Sequence, residues 1–180
     1  MNDAVIRVGM VGAGNNSRMK HIPGLRAVGG VDIVSVCNRS RQSSQRIAEE
    51  FEIPKVYDNW LELVEADDTD AICIGTWPYM HCPITLAALE NDKHVLCEAR
   101  MALNAWEAHD MLSAARRKPH LVTQVVPAPH TFKVDATIRQ HVANGYLGDL
   151  LTIEVRVTED SFVDTGSSLH WRQNREMSGY

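Results

Sequence analysis

Short apolar segments that alternate with amphipathic ones constrain the fold of this 180-residue chain most strongly. The apolar segments are nearly continuous runs, so we expect strands that are buried on both faces. The predicted strands are Val5–Val11, Val31–Cys37, Lys55–Tyr57, Ala71–Gly75, Val95–Cys97 and Leu121–Val126. The predicted helices are Ser17–Val28, Arg41–Phe51, Asn59–Glu65, Ile84–Asn91, Ala105–Arg117 and Phe132–Asn144. Strands and helices that alternate through short connections predict an α/β fold, a doubly wound parallel sheet with helices on both faces.

The pattern changes after Gly145. Leu150–Glu159 alternates apolar and polar residues, which is typical of a strand with one buried and one solvent-exposed face. A single strand has no partner, so we expect it to open a second domain that is only partly present. The sequence thus predicts a complete first domain over residues 1–125. Residues 126–180 are then a linker helix and the truncated start of an α+β, mostly antiparallel domain.

Composition excludes several classes of protein. A net charge of -5 and a pI of about 5.9 argue against general binding to nucleic acid or anionic lipid. No apolar run approaches the roughly 20 residues of a membrane-spanning helix, and the N-terminus does not resemble a signal peptide. The cysteines form no C-x-x-C pair, so we expect buried free thiols, no metal site and a cytoplasmic location.

The turn after the first predicted strand has the pattern that binds dinucleotides. It reads Gly12, Ala13, Gly14, Asn15, Asn16, Ser17 and opens the first predicted helix. Gly12 permits the tight turn, and Gly14 lets a pyrophosphate approach the backbone, where the free N–H groups at the helix start face it. Ser17 replaces the usual third glycine; it is expected to loosen the packing slightly and to cap the helix or bind phosphate.

The end of the second predicted strand indicates which nucleotide is bound. It reads Asn38, Arg39, Ser40, Arg41 and lacks the carboxylate that usually binds the ribose of NAD. Arg39 offers a positive charge to a 2′-phosphate, and Asn38 and Ser40 offer neutral hydrogen bonds. This favours NADP and leaves NAD possible. Arg41 offers a second positive charge; the alternative is that it simply lies in the first turn of a solvated helix.

These segments together resemble the Gfo/Idh/MocA family of NAD(P)-dependent oxidoreductases. The resemblance rests on the glycine turn, on Asn38–Ser40, on Ile74–Thr76 followed by His81, and on the run AALENDKHVLCEA. Later segments, Gly145–Leu150 and His170–Arg172, also resemble family motifs. The resemblance implies a Rossmann domain followed by a large, mostly antiparallel sheet domain through which subunits form a homo-oligomer. It also implies hydride transfer between nicotinamide and a hydroxyl or carbonyl carbon of a sugar, an inositol or a related small molecule.

The resemblance also assigns candidate site residues. Thr76, Trp77 and His81 stand at cofactor-binding positions, although the family usually has Pro-Asn where this chain has Trp77 and Pro78. Trp77 is expected to stack on the cofactor or to line the entrance for the substrate, with ordinary packing as the alternative.

The lysine of the family's E-K-P motif is absent from this chain. Glu98 matches the glutamate and is expected to bind cofactor, while Ala99 occupies the lysine position and Arg100 the proline position. Glu98 and Arg100 are the candidate catalytic residues, although arginine stays protonated and is a poor acid or base; an ion pair between them is the alternative. Because alanine cannot transfer a proton, a nucleotide-binding regulator or sensor without catalysis is the alternative function.

Overall fold

Strands and helices alternate along the chain as predicted. The computed structural model describes residues 5–127, 134–156, 158, 163–164 and 166–179. The strands are β1 (Ile6–Val11), β2 (Val31–Cys37), β3 (Lys55–Val56), β4 (Ala71–Ile74), β5 (His94–Cys97) and β6 (Thr123–Val125). The helices are α1 (Ile22–Val28), α2 (Arg41–Glu50), α3 (Trp60–Glu65), α4 (His81–Glu90), α5 (Ala105–Arg117), α6 (Asp135–Ala143) and α7 (Arg175–Ser178).

The six strands form one parallel sheet in the order β3-β2-β1-β4-β5-β6. The predicted doubly wound parallel sheet is therefore confirmed. The strand order reverses between β1 and β4, and ligands of such sheets bind at this point, outside the carboxyl ends of the strands. Val11 is in register with Cys37 on one side and with Ile74 on the other, so the strands end at one common edge.

Helices cover both faces of the sheet. On one face the core includes Leu63, Ile72, Ile84, Leu89 and Met111. On the other face it includes Met10, Ile22, Ile33, Val36 and Ile47. The burial of all four cysteines is confirmed, and none forms a disulfide. The strands are buried on both sides, which explains why their sequences are continuously apolar.

Two helix starts differ in detail from the prediction. Helical structure begins at Asn15, two residues before the predicted Ser17, and passes through a π-helical turn, Ser17–His21, into α1. The first turn of α1 contains Pro23, which has no N–H to donate to a preceding carbonyl oxygen. Helix α4 begins at His81, three residues before the predicted Ile84, because Pro83 is tolerated in a first turn where N–H groups have no helical acceptor.

The chain divides into two compact units. One comprises the described residues up to Val126 together with His170–Gly179; the other comprises those from Pro127 to Leu169. Helix α6 of the second unit has no buried residue. No helix of the described residues is both long and apolar enough to cross a membrane.

The predicted strand Leu150–Glu159 is wrong over its described part. Residues 150–156 form no strand, while Val157 and Glu159 lie outside the described residues. The apolar side chains Leu151, Ile153 and Val155 are 92%, 76% and 71% exposed. A strand requires a hydrogen-bonded neighbour, and no described segment pairs with this one.

Candidate functional site

A cleft of about 620 Å³ lies at the carboxyl ends of β1, β2 and β4. Its volume is within the range of small-molecule and cofactor pockets, about 300–1,000 Å³. Seven predicted site residues line it: Gly12, Gly14, Asn38, Arg39, Ser40, Thr76 and Trp77. The structure therefore brings together residues that lie up to 65 positions apart in the sequence at the point where the strand order reverses.

The two glycines of the turn differ in what surrounds them. Gly12 has a φ of +86°, and a Cβ added there would lie 2.5 Å from the backbone nitrogen of Thr76. Gly14 has no atom within 4 Å of such a Cβ. Gly12 is thus required by the fold itself, whereas Gly14 leaves open space at the cleft. This is the difference expected when the second glycine admits a ligand to the backbone.

The start of the first helix offers backbone donors. Helical structure begins at Asn15, and the first helical hydrogen bond runs from the N–H of Arg18 to the carbonyl oxygen of Gly14. The N–H groups of Asn15, Asn16 and Ser17 precede that bond and have no acceptor within the helix. The N-terminus of a helix also carries partial positive charge, so this turn suits an anion such as phosphate.

Ser17 is buried and faces away from the cleft. Its hydroxyl donates to the carbonyl oxygen of Gly12 at 3.1 Å, and its oxygen also occupies the space that a Cβ on Gly75 would need. The serine in the third glycine position therefore links the helix start to the turn and packs on the end of β4. Because the Ser17 hydroxyl already donates to Gly12, its contact fits a link between the helix start and the turn better than a hydrogen bond to phosphate.

Asn38 holds the glycine turn against the end of β2. Its Oδ1 accepts from the N–H of Ala13 at 2.6 Å, and its Nδ2 donates to the carbonyl oxygen of Ser43 at 3.2 Å. Ser40 caps α2, with its hydroxyl oxygen accepting from the N–H of Ser43. These two polar side chains fix the loop that follows β2.

Arginine side chains surround that loop. Arg41 lies at the exposed start of α2 and pairs with Asp58 at 2.5 Å, as expected of a solvated helix residue. Arg39 and Arg46 both line the cleft and form no ion pair with a carboxylate of the described residues. Arg46 was not predicted from the sequence; it lies three residues after Ser43, which also lines the cleft, so both residues share one face of α2. Within the described ranges these two arginines have no carboxylate partner, and Asp58, which also lines the cleft, pairs with Arg41.

Trp77 closes the other side of the cleft. Its ring stacks on Trp171, with centroids 5.9 Å apart and planes inclined by 16°. The guanidinium carbon of Arg39 lies 5.8 Å from the centre of the Trp77 ring. Next to it, the hydroxyl oxygen of Thr76 is buried without a hydrogen-bond partner among the described residues. Because that oxygen has almost no accessible surface, Thr76 contributes to the wall of the cleft without offering this hydroxyl to a ligand.

His81 lies behind the cleft rather than in it. The ring is 1% exposed, with Nδ1 2.6 Å from the carbonyl oxygen of Arg100 and Nε2 3.0 Å from that of Thr76. It therefore links the ends of β4 and β5. Arg100 itself reaches the C-terminal segment, where its Nη2 donates to the hydroxyl of Ser178 at 2.9 Å.

Glu98 lies at the end of β5 and is held by His21. The His21 Nε2 contacts Glu98 Oε1, and the same oxygen accepts from the amide of Asn16. The second oxygen, Oε2, accepts from the N–H of Ala99 at 3.0 Å. Glu98 and Arg100 form no ion pair, so that alternative is wrong: the carboxylate turns toward the first helix and the guanidinium turns away.

Two other histidines, His94 and His170, accept hydrogen bonds from backbone N–H groups and thereby stabilise the fold. His94 Nδ1 accepts from the N–H of Val122 at 2.9 Å, which ties β5 to the segment before β6. His170 caps the turn Trp171–Gln173, its Nδ1 accepting from the N–H of Arg172. No group of three or more metal-ligating side chains occurs within the described ranges.

Comparison with known sequences identifies a family. The family model described as "Oxidoreductase family, NAD-binding Rossmann fold", GFO_IDH_MocA, matches residues 6–125. The 1,5-anhydro-D-fructose reductase of Ensifer adhaerens is 37% identical over 110 residues, which are 61% of this chain and 33% of that protein. The D-glucoside 3-dehydrogenase of Escherichia coli (strain K12) is 27% identical over 157 residues, 87% of this chain and 44% of that protein.

Comparison with solved structures gives the same fold. An NAD binding oxidoreductase from Klebsiella pneumoniae superposes with a TM-score of 0.69 at 25% identity, covering 79% of this chain and 39% of that one. The chain therefore spans less than half the length of the relatives it matches.

Proposed function

Because the chain belongs to the Gfo/Idh/MocA oxidoreductase family, we propose that its cleft binds a nicotinamide dinucleotide and that the whole protein is an NAD(P)-dependent oxidoreductase. The observation that supports this best is the pair of glycines at the cleft. Gly12 is fixed by the fold, while Gly14 leaves room beside the free N–H groups of the helix start. A pyrophosphate needs both the room and the donors.

The residues of the cleft fit the parts of the nucleotide. The first helical turn, Asn15–Ser17, donates to the pyrophosphate, and Thr76 forms part of the cleft wall. Arg39 and Arg46, which lack carboxylate partners, bind the 2′-phosphate of NADP. We therefore propose NADP as the preferred nucleotide, with NAD as the weaker one.

The bound nicotinamide supplies the hydride chemistry. The chain's own residues provide binding and orientation: Trp77 closes the cleft, and Glu98 lies at the end of β5 on the nicotinamide half of the sheet. Arg100 contributes positive charge, although its contact with Ser178 has to open before it reaches a ligand. The alternative, a sensor without catalysis, rests on Ala99 alone, and the relatives are a named reductase and a named dehydrogenase.

The substrate is proposed to be sugar-like. Two relatives are named for 1,5-anhydro-D-fructose and D-glucoside, both of which are carbohydrates. We also propose that the whole protein is a homo-oligomer located in the cytoplasm. The four buried free thiols are consistent with a reducing compartment, and the exposed apolar side chains of residues 150–155 are consistent with a surface that another segment or subunit covers.

Calorimetric titration of the chain with NADPH and NADH tests the nucleotide proposal. We expect saturable binding of both, with NADPH tighter. Arg39→Asp should weaken NADPH much more than NADH, because it replaces an attraction to the 2′-phosphate with a repulsion. The matched control is Arg117→Asp, since Arg117 is an exposed residue at the end of α5 and does not line the cleft. Equal loss of both nucleotides in Arg39→Asp would refute the 2′-phosphate assignment.

A further inference from the structure

Two ionisable side chains, His21 and Glu98, meet in a nearly buried position next to the glycine turn. Their side chains are only 10% and 15% exposed, and the His21 Nε2 contacts Glu98 Oε1. They come from opposite parts of the sequence, the π-helical turn after β1 and the end of β5. Removing a carboxylate from water is costly, so its partners must hold it firmly in place.

Counting acceptor positions shows which Glu98 oxygen is available. Each carboxylate oxygen can accept about two hydrogen bonds. Oε1 already accepts from the His21 ring and from the Asn16 amide. Oε2 accepts only from the N–H of Ala99, within the described part of the chain. The two side chains therefore saturate one oxygen and leave an acceptor position on the other.

The position of Glu98 indicates what that free position binds. In a doubly wound fold each half of the sheet holds one mononucleotide, and β5 belongs to the half opposite the β2 arginines. The nicotinamide carboxamide and ribose hydroxyls are hydrogen-bond donors, which a carboxylate accepts well. Ala99, next to Glu98, has no polar side-chain atom to share this role.

We infer that His21 is a positioning residue for Glu98: it holds one carboxylate oxygen so that the other accepts from the nicotinamide half of the nucleotide. This inference rests on the proposed function. It assigns a role in the nicotinamide half of the site to a residue of the first helix. The Asn16 amide supports the same oxygen from the turn before His21.

The test separates the two halves of the ligand by using two probes. NADPH carries both halves, whereas 2′,5′-ADP carries only the adenosine half. Both are titrated calorimetrically into the chain and into His21→Leu and His21→Gln variants. Glutamine places an N–H donor at about the reach of Nε2, so it should rescue, while leucine cannot donate. The matched control is Lys20→Leu, an exposed neighbour on the same helical turn.

The expected result is that His21→Leu weakens NADPH about tenfold, as for one lost hydrogen bond to a charged group. His21→Leu should bind 2′,5′-ADP with nearly the wild-type affinity. The His21→Gln and Lys20→Leu variants should bind both probes with nearly the wild-type affinity. Parallel weakening of both probes would show a merely structural role and overturn the inference, as would no change in NADPH binding.

If the cleft does not bind a nicotinamide dinucleotide at all, the wild-type chain binds neither NADPH nor 2′,5′-ADP. That outcome overturns both the proposed function and the role of His21. Should His21→Leu fail to fold, Glu98→Gln replaces it. That variant keeps the shape of the side chain and loses the charge, and it should weaken NADPH while sparing 2′,5′-ADP. Unchanged NADPH binding in Glu98→Gln would overturn the inference.

Discussion

Replacing each glycine of the turn by alanine should separate folding from nucleotide binding. At Gly12 a new Cβ would lie 2.5 Å from the backbone nitrogen of Thr76 and 2.7 Å from its Cγ2, at a φ of +86°. At Gly14 the same atom meets nothing within 4 Å. Gly12→Ala should therefore destabilise the fold, and Gly14→Ala should leave it intact.

The size of the Gly12 effect follows from two costs. A left-handed conformation costs an alanine about 1–2 kcal/mol, and a tightly packed extra methyl costs about 1–3 kcal/mol. The sum is roughly 2–5 kcal/mol, which for a chain of this size lowers the melting temperature by about 4–20 °C. Gly14→Ala should change the free energy of unfolding by no more than about 0.5 kcal/mol.

Thermal unfolding followed by circular dichroism gives the stability of both variants, and calorimetry gives their NADPH affinity. Gly14→Ala should melt like the wild type yet bind NADPH more weakly, because its methyl takes the space of the pyrophosphate. The reasoning fails if Gly12→Ala is as stable as the wild type. It also fails if Gly14→Ala binds NADPH with undiminished affinity.

Three further predictions concern the rest of the chain. Burial raises the pKa of Cys37 and Cys82 to about 11 and that of Cys73 and Cys97 to about 12. A thiol reagent at pH 8 should therefore label none of these four cysteines before the chain unfolds. Rapid labelling of the native chain would contradict this prediction. The hydrogen bond from the Arg7 side chain lowers the pKa of Asp70 below its ordinary 3.8, so the stability from this pair is present above that value and is lost as the pH falls below it. Asp70→Asn should therefore lose less stability than the wild type in acid melts, and equal losses would refute the assignment. Limited proteolysis should cut within residues 134–156, where apolar side chains are exposed, before it cuts the sheet; cleavage inside β1 or β4 first would contradict the division into units.

The parallel sheet was predictable because local patterns determine it. Each strand is a short apolar run, and the glycine turn between β1 and the first helix has its own sequence signature. The same pattern predicted most of the cleft, since the ends of parallel strands meet at one edge. Gly12 and Asn38 were found from the ends of the first two strands, whereas Thr76 was found through the resemblance to the family.

Long-range contacts between side chains were not predictable. The contact of His21 with Glu98 joins positions 77 residues apart, and nothing in either local sequence indicates it. Arg46 was missed because its neighbours have the pattern of an ordinary amphipathic helix, which does not show that its side chain lines the cleft. The strand predicted at Leu150 failed for the same reason, since alternation predicts a face to be buried but supplies no partner strand.

The central claim is that the cleft at the ends of β1, β2 and β4 holds a nicotinamide dinucleotide, and a crystal structure with NADPH tests it most directly. We expect the pyrophosphate to lie against the N–H groups of Asn15–Ser17, beside Gly14, and the 2′-phosphate to lie between Arg39 and Arg46. Nucleotide bound elsewhere on the chain, or a cleft that stays empty at saturating NADPH, would contradict it.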